Sequence, residues 1–420
     1  MTSETPSATP HPTPSATPSP APNAAPAARP SSQTNAVGPG AAPARPAVVS
    51  HVKAQYDAEL PAALERACAP FGGFGALVKP GERIGVKVNL LRAAPPEKVV
   101  TTHPETLRAV LRAIKAAGAT PFVGDSPGGP GRERQVRRGY EVSGMAAVCR
   151  EEDVELLVPD VDVVELAAPD GRLFRTFPVG RCWTTADGII QVGPLKTHGL
   201  MRLTGAVKLT FGCVTGLRKG QLHVRASERA DFADMLLDLH LALAPRLTVI
   251  DAIVAMQGKG PGSGTPRAMG SLLAAVDSSA LDAALADLTV HKRRDIYTLA
   301  AAERRGLIDL NDPYRLEGDP IVPDHGFEHA PRDAQERVPP ALRRLARHAL
   351  TSRPRLVNPA VCTRCGDCAQ ICGANAITMA PMPVYDNDKC VRCYACTEIC
   401  PTTAIQDVRP LTLRLLRADR

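Results

Sequence analysis

Short apolar runs alternate with amphipathic segments over most of the stretch from residue 51 to residue 330. Residues 83–91 (RIGVKVNLL) are rich in β-branched side chains and follow a Pro-Gly pair, which predicts a strand. Residues 103–118 carry apolar side chains at helical spacing and end at a glycine, which predicts a helix. By the same criteria we expect strands at 121–125, 188–192 and 247–250, and a helix at 279–288. This alternation predicts an α/β domain with a largely parallel sheet.

Polar residues lie near or beyond the ends of three of the predicted strands. They are Lys87 and Asn89 in the second half of the first, Asp125 and Ser126 at the end of the second, and Lys196 and His198 after the third. Ligands of parallel α/β sheets bind beyond the carboxyl ends of the strands, so these residues are candidates for one site. Lys196 and His198 are suited to binding an anion or moving a proton, although a solvated loop pair is an equally good interpretation. Asp125 opens a D-S-P-G-G segment, which is also the composition of an ordinary turn.

A glycine-rich segment, residues 258–264 (GKGPGSG), follows the strand predicted at 247–250. It lacks both the Gly-Lys-Ser/Thr of a Walker loop and the G-x-G-x-x-G of the dinucleotide fingerprint. The backbone N–H groups of such a segment, those of Gly258 and Gly260 among them, are suited to holding a phosphate or a carboxylate. A flexible lid is an equally good interpretation.

Eight of the twelve cysteines lie within 39 residues near the carboxyl terminus. They form two runs with the spacing C-x2-C-x2-C-x3-C, offset by 28 residues. The pair Ala376-Ile377 recurs at Ala404-Ile405 with the same offset, so a whole structural unit is duplicated. The spacing is typical of cysteines that ligate [4Fe-4S] clusters. A zinc module is the alternative, but it uses two separated C-x2-C pairs and does not fit triple runs.

The cysteine runs resemble those of bacterial two-cluster ferredoxins over about residues 355–408. The resemblance implies a small α+β ferredoxin-like domain that holds two [4Fe-4S] clusters. It implies two ligand sets, one of Cys362, Cys365, Cys368 and Cys400, and the other of Cys390, Cys393, Cys396 and Cys372. The chain departs from the pattern at Gly373, which replaces the proline expected after Cys372 and is expected to loosen that turn.

The first 50 residues are dominated by proline, alanine, serine and threonine. Such a segment cannot bury enough apolar surface to offset the entropy of ordering, so we expect a disordered arm. We find neither a secretory signal nor a stretch of about 18 apolar residues that would predict a membrane helix. The expected location is therefore the cytoplasm. A net charge of only +7 and an aromatic content of 4% argue against a nucleic-acid-binding protein.

The α/β segment resembles the family called domain of unknown function 362 over most of residues 80–320. The matching elements are Lys87-Val88-Asn89, Gly124-Asp125-Ser126, Lys196-Thr197-His198, Lys208 with Phe211-Gly212, His223, Asp251 with Met256-Gln257-Gly258, and Asp277 before Leu281-Asp282. The resemblance implies an architecture and an iron–sulfur cofactor, but no substrate. The candidate catalytic residues are then Lys196, His198, Asp125 and His223, and the candidate cofactor-binding residues are Lys87, Asn89, Ser126, Lys208, Gly258 and Gly260. For His223, a place in a basic surface loop is the alternative.

The sequence thus predicts an organisation in five parts. They are a disordered arm at 1–50, the α/β domain at 51–330, a linker with a basic amphipathic helix at 331–355, the ferredoxin domain at 356–408 and a basic tail at 409–420. The predicted function is that of an iron–sulfur oxidoreductase, which acts on a small anionic substrate or cofactor and passes electrons through two clusters. The alternative is a non-catalytic electron carrier whose α/β domain docks a partner. Either function requires a redox partner protein, and no fingerprint of a flavin or another organic cofactor is present.

Overall fold

A computed structural model describes residues 46–332 and 351–410 of the chain. Most of the predicted arm, residues 333–350 of the linker for which we predicted a basic helix, and the segment 411–420 lie outside the described residues. Strand β1, Ala47–Lys53, begins within the predicted arm, so the boundary expected at residue 50 falls inside a strand. The sequence of β1, AVVSHVK, is rich in β-branched side chains, which suit a strand paired on both edges.

A mixed sheet forms the centre of the α/β domain. Its other strands are β2 Arg83–Lys87, β3 Thr120–Gly124, β4 Glu155–Leu157, β7 Gly188–His198, β8 Arg202–Thr204, β9 Leu247–Gln257, β10 Thr265–Ala275 and β11 Tyr314–Gly318, while β5 Val163–Ala167 and β6 Thr176–Gly180 form a separate hairpin. The strand order is β11-β1-β10-β9-β7-β2-β3-β4, with β8 paired to β7. The block β9-β7-β2-β3-β4 is parallel, whereas β10 runs antiparallel to both of its neighbours. The predicted α/β class with a largely parallel sheet is confirmed.

Helices cover both faces of this sheet. In the described residues of the α/β domain they are α1 Leu60–Cys68, α2 Phe74–Leu77, α3 Pro104–Ala116, α4 Glu133–Val142, α5 Met145–Glu151, α6 Arg181–Thr185, α7 Ala206–Leu209, α8 Gly216–Arg225, α9 Arg229–Leu243, α10 Ser278–Leu288 and α11 Tyr297–Arg304. Ile190 of β7 belongs to an apolar cluster with α1, α3 and α5, whereas its neighbour Ile189 belongs to another with α6 and α9. Residues 46–332 and 351–410 contain no helix long and apolar enough to cross a membrane.

Strands β7 and β9 are longer than their apolar runs predict. We expected strands at 188–192 and 247–250, but each of the two extends over eleven residues. The additional residues of β7 include Lys196 and His198, which pair with Thr204 and Arg202 of β8. The loop predicted around this lysine and histidine is therefore wrong. All eleven residues of β7 are buried, because strands and helices pack against it on every side.

The iron–sulfur domain is a small α+β unit built from two similar halves. Its elements are β12 Arg353–Leu356, α12 Asp367–Gln370, β13 Ile377–Ala380, β14 Met382–Tyr385, α13 Ala395–Glu398 and β15 Ile405–Val408. Strand β12 pairs with β15 and β13 pairs with β14, both antiparallel. The core contains Ile371 and Ile377 from the first half, and Ile399 and Ile405 from the second. Ile371 and Ile399 are 28 residues apart, and so are Ile377 and Ile405. The repeat in the sequence therefore places equivalent residues in the core.

Candidate functional site

The candidate site lies at the carboxyl ends of the parallel strands β2, β3 and β7. Lys87 ends β2, Asp125 follows β3, and Lys196 lies near the end of β7. These three side chains are between 1% and 2% exposed. Ionisable groups are rarely buried so completely without partners, because removing a charge from water is costly. The arrangement brings together residues far apart in sequence at the edge where α/β sheets bind ligands.

Lys87 and Asp125 form a buried ion pair at the centre of this edge. The distance from Lys87 Nζ to Asp125 Oδ1 is 3.0 Å, and Lys87 Nζ also donates to Val88 O at 2.7 Å. The second carboxylate oxygen of Asp125 accepts from the backbone N–H of Leu90. A Cβ on Gly212 would lie 1.9 Å from Asp125 Oδ1, so only glycine fits against the pair. Both carboxylate oxygens are engaged, which favours a role for Asp125 in holding Lys87 over a role as a free base.

Lys196 has the properties of a proton-exchanging group. Its Nζ donates to Asn89 Oδ1 and, at 2.9 Å, to Val100 O. Burial, followed by the charge of Lys208, lowers the pKa of Lys196 to about 7. A neutral lysine has two N–H bonds, and these two acceptors satisfy both. The amine can therefore hold or release a third proton near neutral pH without breaking its contacts.

His198 is a neutral hydrogen-bond donor in this arrangement. Its Nδ1 accepts from the backbone N–H groups of Leu200, at 3.1 Å, and Met201, at 3.3 Å. The ring proton must then be on Nε2, which is buried and lies 3.4 Å from Glu398 Oε1. Burial, together with Lys208, lowers the pKa of His198 well below its usual value. The structure thus favours His198 as a donor to an anion and not as a base.

Three aspartates that match the family pattern hold the backbone around the site. Asp282 accepts from Ala206 N at 2.6 Å and Val207 N at 3.3 Å, which caps α7, the helix that carries Lys208. Asp277 caps α10 by accepting from two backbone N–H groups. Asp251 accepts from Tyr56, Thr106 and a backbone N–H. These contacts position the strand ends and the short helix of Lys208.

The structure places Ser126 and Lys219 together beside Asp125. Ser126 Oγ donates to Asp160 Oδ1 at 2.7 Å, and its carbonyl accepts from Lys219 Nζ. Burial lowers the pKa of Lys219 to about 8. Our sequence analysis missed Lys219, because its segment was considered only for His223, with a basic surface loop as the alternative. Helical spacing was the signal, since Lys219, Leu222 and His223 share the buried face of α8.

His223 is packed in an aromatic cluster on the buried face of α8. Its ring stacks on Phe232 with centroids 4.3 Å apart, and the edge of Phe211 meets it at 5.7 Å. Burial lowers the pKa of His223 to about 3, so the ring is neutral. The surface-loop alternative is wrong for this residue. Its surroundings favour a packing role over the catalytic one that we predicted.

The glycine-rich segment is bound to the end of β7. Gly260 N lies 3.2 Å from Thr197 Oγ1 and donates to Gly258 O at 2.9 Å, while Gly258 N donates to Glu328 O at 2.8 Å. A Cβ on Gly260 would lie 2.1 Å from Thr197 O, so the close approach requires glycine. These N–H groups already have protein acceptors. The geometry therefore disfavours the anion cradle predicted for Gly258 and Gly260.

One of the two cysteine sets implied by the ferredoxin resemblance lines a single cavity. This first set, Cys362, Cys365, Cys368 and Cys400, lies there together with Met379 and Ile405. The second implied set is Cys372, Cys390, Cys393 and Cys396, and Cys396 lies within electrostatic range of the other three and of Cys368. The described residues contain no group of three His, Cys, Asp or Glu side chains spaced to share one ion. Three side chains that share one ion are typical of a mononuclear site, whereas the four cysteines of a [4Fe-4S] cubane bind different irons.

The chemistry of these cysteines fits an iron–sulfur cluster. Burial first, and then the neighbouring thiols Cys390 and Cys372, raise the pKa of Cys393 to about 12. Buried thiols this close together do not ionise by themselves. A metal core supplies the positive charge that stabilises four adjacent thiolates. All twelve cysteines are free of disulfides.

The iron–sulfur domain packs against the site through the residues that follow its two short helices. Ile371 follows α12, and a Cβ on Gly220 would lie 2.0 Å from its carbonyl oxygen. Ile399 follows α13, and its side chain packs on Gly128, where a Cβ would lie 2.9 Å away. The two isoleucines are equivalent in the internal repeat. The two halves of the ferredoxin unit therefore contact the α/β domain through equivalent residues.

Gly373 lies against the backbone of α8. A Cβ at Gly373 would be 2.3 Å from Gly220 O, so any side chain or proline ring would collide with this helix. We expected Gly373 to loosen the turn after Cys372. The structure gives a different reason for the missing proline, which is contact between two backbones.

Docking carries the side chain of Glu398, the last residue of α13, to the lysines. Lys208 and Lys196 lower the pKa of Glu398, but burial outweighs them and raises it overall. Arg92 contacts the same segment, donating to Glu398 O at 3.5 Å and to Gly262 O at 2.6 Å. Our sequence analysis missed Glu398 and Arg92, because cysteine spacing does not show which face of the module meets the α/β domain.

Two family models match the chain. Residues 84–287 match the domain of unknown function DUF362, and residues 361–404 match a 4Fe-4S dicluster domain. A thylakoid-associated protein of Synechocystis sp. is 36% identical over 267 residues, which are 62% of this chain and 79% of the relative. The lactate racemase apoprotein from Thermoanaerobacterium thermosaccharolyticum is 12% identical with a TM-score of 0.36, over 55% of this chain and 54% of that chain. The chain thus spans about half of that structure.

The cysteine module and its thiol sets define an iron–sulfur protein with clusters of the [4Fe-4S] type. Its larger domain is α/β, with the docked module at the carboxyl ends of the parallel strands. The chain belongs to the domain of unknown function 362 family.

Proposed function

We propose that the protein is an iron–sulfur oxidoreductase that acts on a small anionic substrate or cofactor. One observation carries the proposal, which is the excess of lysines over carboxylates at the strand ends. Lys87, Lys196 and Lys219 are buried and Lys208 is partly buried, and these four lysines lie near three carboxylates, those of Asp125, Asp160 and Glu398. Burying an ammonium without a counterion is costly. A bound anion would supply the missing charge.

The proposed chemistry assigns one role to each group around the anion. Lys208 attracts it, His198 donates a hydrogen bond through Nε2, and Lys196 gives or takes a proton near neutral pH. Two [4Fe-4S] clusters, when bound to the two cysteine sets, would supply or accept one electron each. Reduction of a two-electron substrate also consumes two protons, of which Lys196 can deliver one and solvent the other. A redox partner protein exchanges the electrons with the module.

A reducing compartment such as the cytoplasm is part of this proposal. None of the twelve cysteines forms a disulfide, which suits a compartment that keeps thiols reduced. The Synechocystis relative is named for an association with thylakoids. Fractionation of cells into soluble and membrane-associated material, followed by detection of the native chain, tests the location.

The test of the oxidoreductase function starts with anaerobic purification and mass spectrometry of any small molecule that co-purifies. With that molecule as substrate, Lys196→Ala and His198→Ala should each abolish turnover, while iron content and reduction by dithionite stay unchanged. Lys98→Ala is the matched control, because Lys98 is exposed although it is near Val100, the acceptor of Lys196. Wild-type turnover in both site variants would exclude the proposed roles.

The second candidate function is a non-catalytic electron carrier, and the position of Glu398 favours it. A carrier needs no substrate site, and here the carboxylate of the docked module already faces His198. This function predicts that Lys196→Ala and His198→Ala pass electrons to the natural partner at the wild-type rate. A loss of turnover with intact partner transfer would exclude it.

A further inference from the structure

The carboxylate of Glu398 lies among lysines, and no hydrogen bond from the part of the chain that the structure describes fixes it. His198 Nε2 lies 3.4 Å from Glu398 Oε1, which is longer than a normal N–H···O hydrogen bond. Within residues 46–332 and 351–410, no side-chain hydrogen bond ends on this carboxylate. Its electrostatic neighbours are Lys208 and Lys196. The glutamate is thus attracted to the site but is loosely held there.

The histidine that faces Glu398 is a buried donor with an unused hydrogen bond. The His198 side chain is 2% exposed, and its Nε2 has no hydrogen-bond partner among the described residues. Buried polar groups are nearly always paired, so an unpaired donor aimed into a cationic site indicates a missing acceptor. A carboxylate oxygen about 0.5 Å closer than that of Glu398 would complete the bond.

The acidic residue at this position belongs to only one half of the module. The internal repeat relates Glu398 to Gln370, which is 28 residues earlier at the end of α12 and is exposed. The two positions have the same place in the ferredoxin unit. Only the one that reaches the lysines carries a charge, so the charge is matched to the site and is not a requirement of the ferredoxin fold.

We propose that Glu398 occupies the subsite for a carboxylate group of the ligand. His198 Nε2–H, Lys208 and Lys196 form this subsite, and a ligand carboxylate enters when α13 withdraws Glu398. The inference rests on the proposed function in that it assumes an anionic ligand, and it narrows that ligand to a carboxylate. It also makes the iron–sulfur domain a competitor for the site that it serves.

The experiment uses the full-length protein with its clusters and sodium acetate as the probe, measured by anaerobic calorimetry. Glu398→Ala should bind acetate saturably, at least about tenfold more tightly than the wild type, because the competing carboxylate is gone. Glu398→Gln, which keeps the size of the side chain, should bind with intermediate affinity. Gln370→Ala is the matched control from the other half of the repeat and should behave as the wild type.

Two further measurements make the outcome decisive. Adding Lys208→Met to Glu398→Ala should abolish acetate binding, and sodium chloride at equal concentration should not displace acetate. The proposal is overturned if neither Glu398 variant binds acetate while both keep their iron and visible spectrum. It is also overturned if the double variant still binds, or if chloride competes equally. Acetate binding with no turnover of any substrate would instead contradict the oxidoreductase function and leave the subsite standing.

Discussion

Gly220 lies within α8 at the contact with the iron–sulfur domain, and replacing it with alanine adds one methyl group at that contact. The new Cβ would lie 2.0 Å from Ile371 O, whereas an ordinary carbon–oxygen contact is about 3.3 Å. The two backbones must then separate by the difference, about 1.3 Å. Because the atom that the new Cβ meets is a backbone oxygen, no side-chain rotation can relieve the collision.

The magnitude follows from the cost of overpacking. Extra atoms in a packed interface typically cost ~1–3 kcal/mol, which corresponds to a roughly 5- to 140-fold weaker docking equilibrium. Helix propensity acts in the opposite direction to this cost, since alanine is favoured over glycine inside a helix by about 1 kcal/mol. Gly220→Ala is therefore expected to stabilise α8 itself and to destabilise the docked module.

Hydrogen exchange of the anaerobic holoprotein separates these two effects. We expect faster exchange at residues 371–373 and 398–400, with unchanged protection in the central strands of the sheet. Gly75→Ala is the matched control, because Gly75 lies in the short helix α2 with no atom near a new Cβ. If Gly220→Ala is stabilised as much as the control and exchange at the module does not change, the close contact between α8 and the iron–sulfur domain is refuted.

Four further predictions concern the clusters, Lys196, Cys365 and the segment 1–45. Anaerobically reconstituted protein should contain about eight irons and eight acid-labile sulfides per chain by chemical analysis, and about four would mean that one cysteine set is empty. Lys196→Met should flatten the dependence of the free energy of unfolding on pH, because the folded state binds the Lys196 proton less tightly than the unfolded state. In denaturant titrations, the stability of the wild type relative to the variant should rise between about pH 7 and 10.5. Parallel pH profiles of the two proteins would contradict the lowered pKa of Lys196. Oxidation of the reduced protein by ferricyanide should be biphasic. Cys365→Ser should remove the fast phase, because Cys365 is exposed and its counterpart Cys393 is not. Loss of the slow phase instead would assign the fast phase to the other cysteine set. Deletion of residues 1–45 should leave the melting temperature and iron content unchanged, and a drop of several degrees would show that this segment contributes native contacts.

The convergence of three polar side chains at one sheet edge could be predicted from sequence, because it depends on a rule of topology. Parallel strands expose their carboxyl ends at one edge, so Lys87, Asp125 and Lys196 could be assigned to the same place from separate segments. The length of β7 could not be predicted, because the polar residues Lys196 and His198 near its end were interpreted as part of a loop. Whether a lysine is solvated or buried depends on what covers it, and here β8, the glycine-rich segment and the docked module all do.

Residues that meet across the contact between the two domains could not be predicted. Glu398 lies between two cysteines whose spacing accounts fully for the motif, so nothing in the run indicates a second role. Arg92 gave no signal either, since its partner Glu398 is 306 residues away in the chain. Lys219 could have been predicted from helical spacing, had its segment been interpreted as a helix. Local pattern encodes the cluster ligands, whereas the docking face depends on long-range contacts.

The contact between Gly220 and Gly373 joins a cysteine loop of the iron–sulfur domain to a helix of the candidate site. Gly373 directly follows Cys372, so the loop that touches α8 also carries a cysteine of the second set. Gly220 directly follows Lys219, whose Nζ donates to Ser126 O. The two backbones are in direct contact, with no flexible side chain between them that could absorb a displacement. A change in the shape of the Cys372 loop would therefore move the segment that carries Lys219, so the iron content of the module and the surroundings of this lysine should not vary independently.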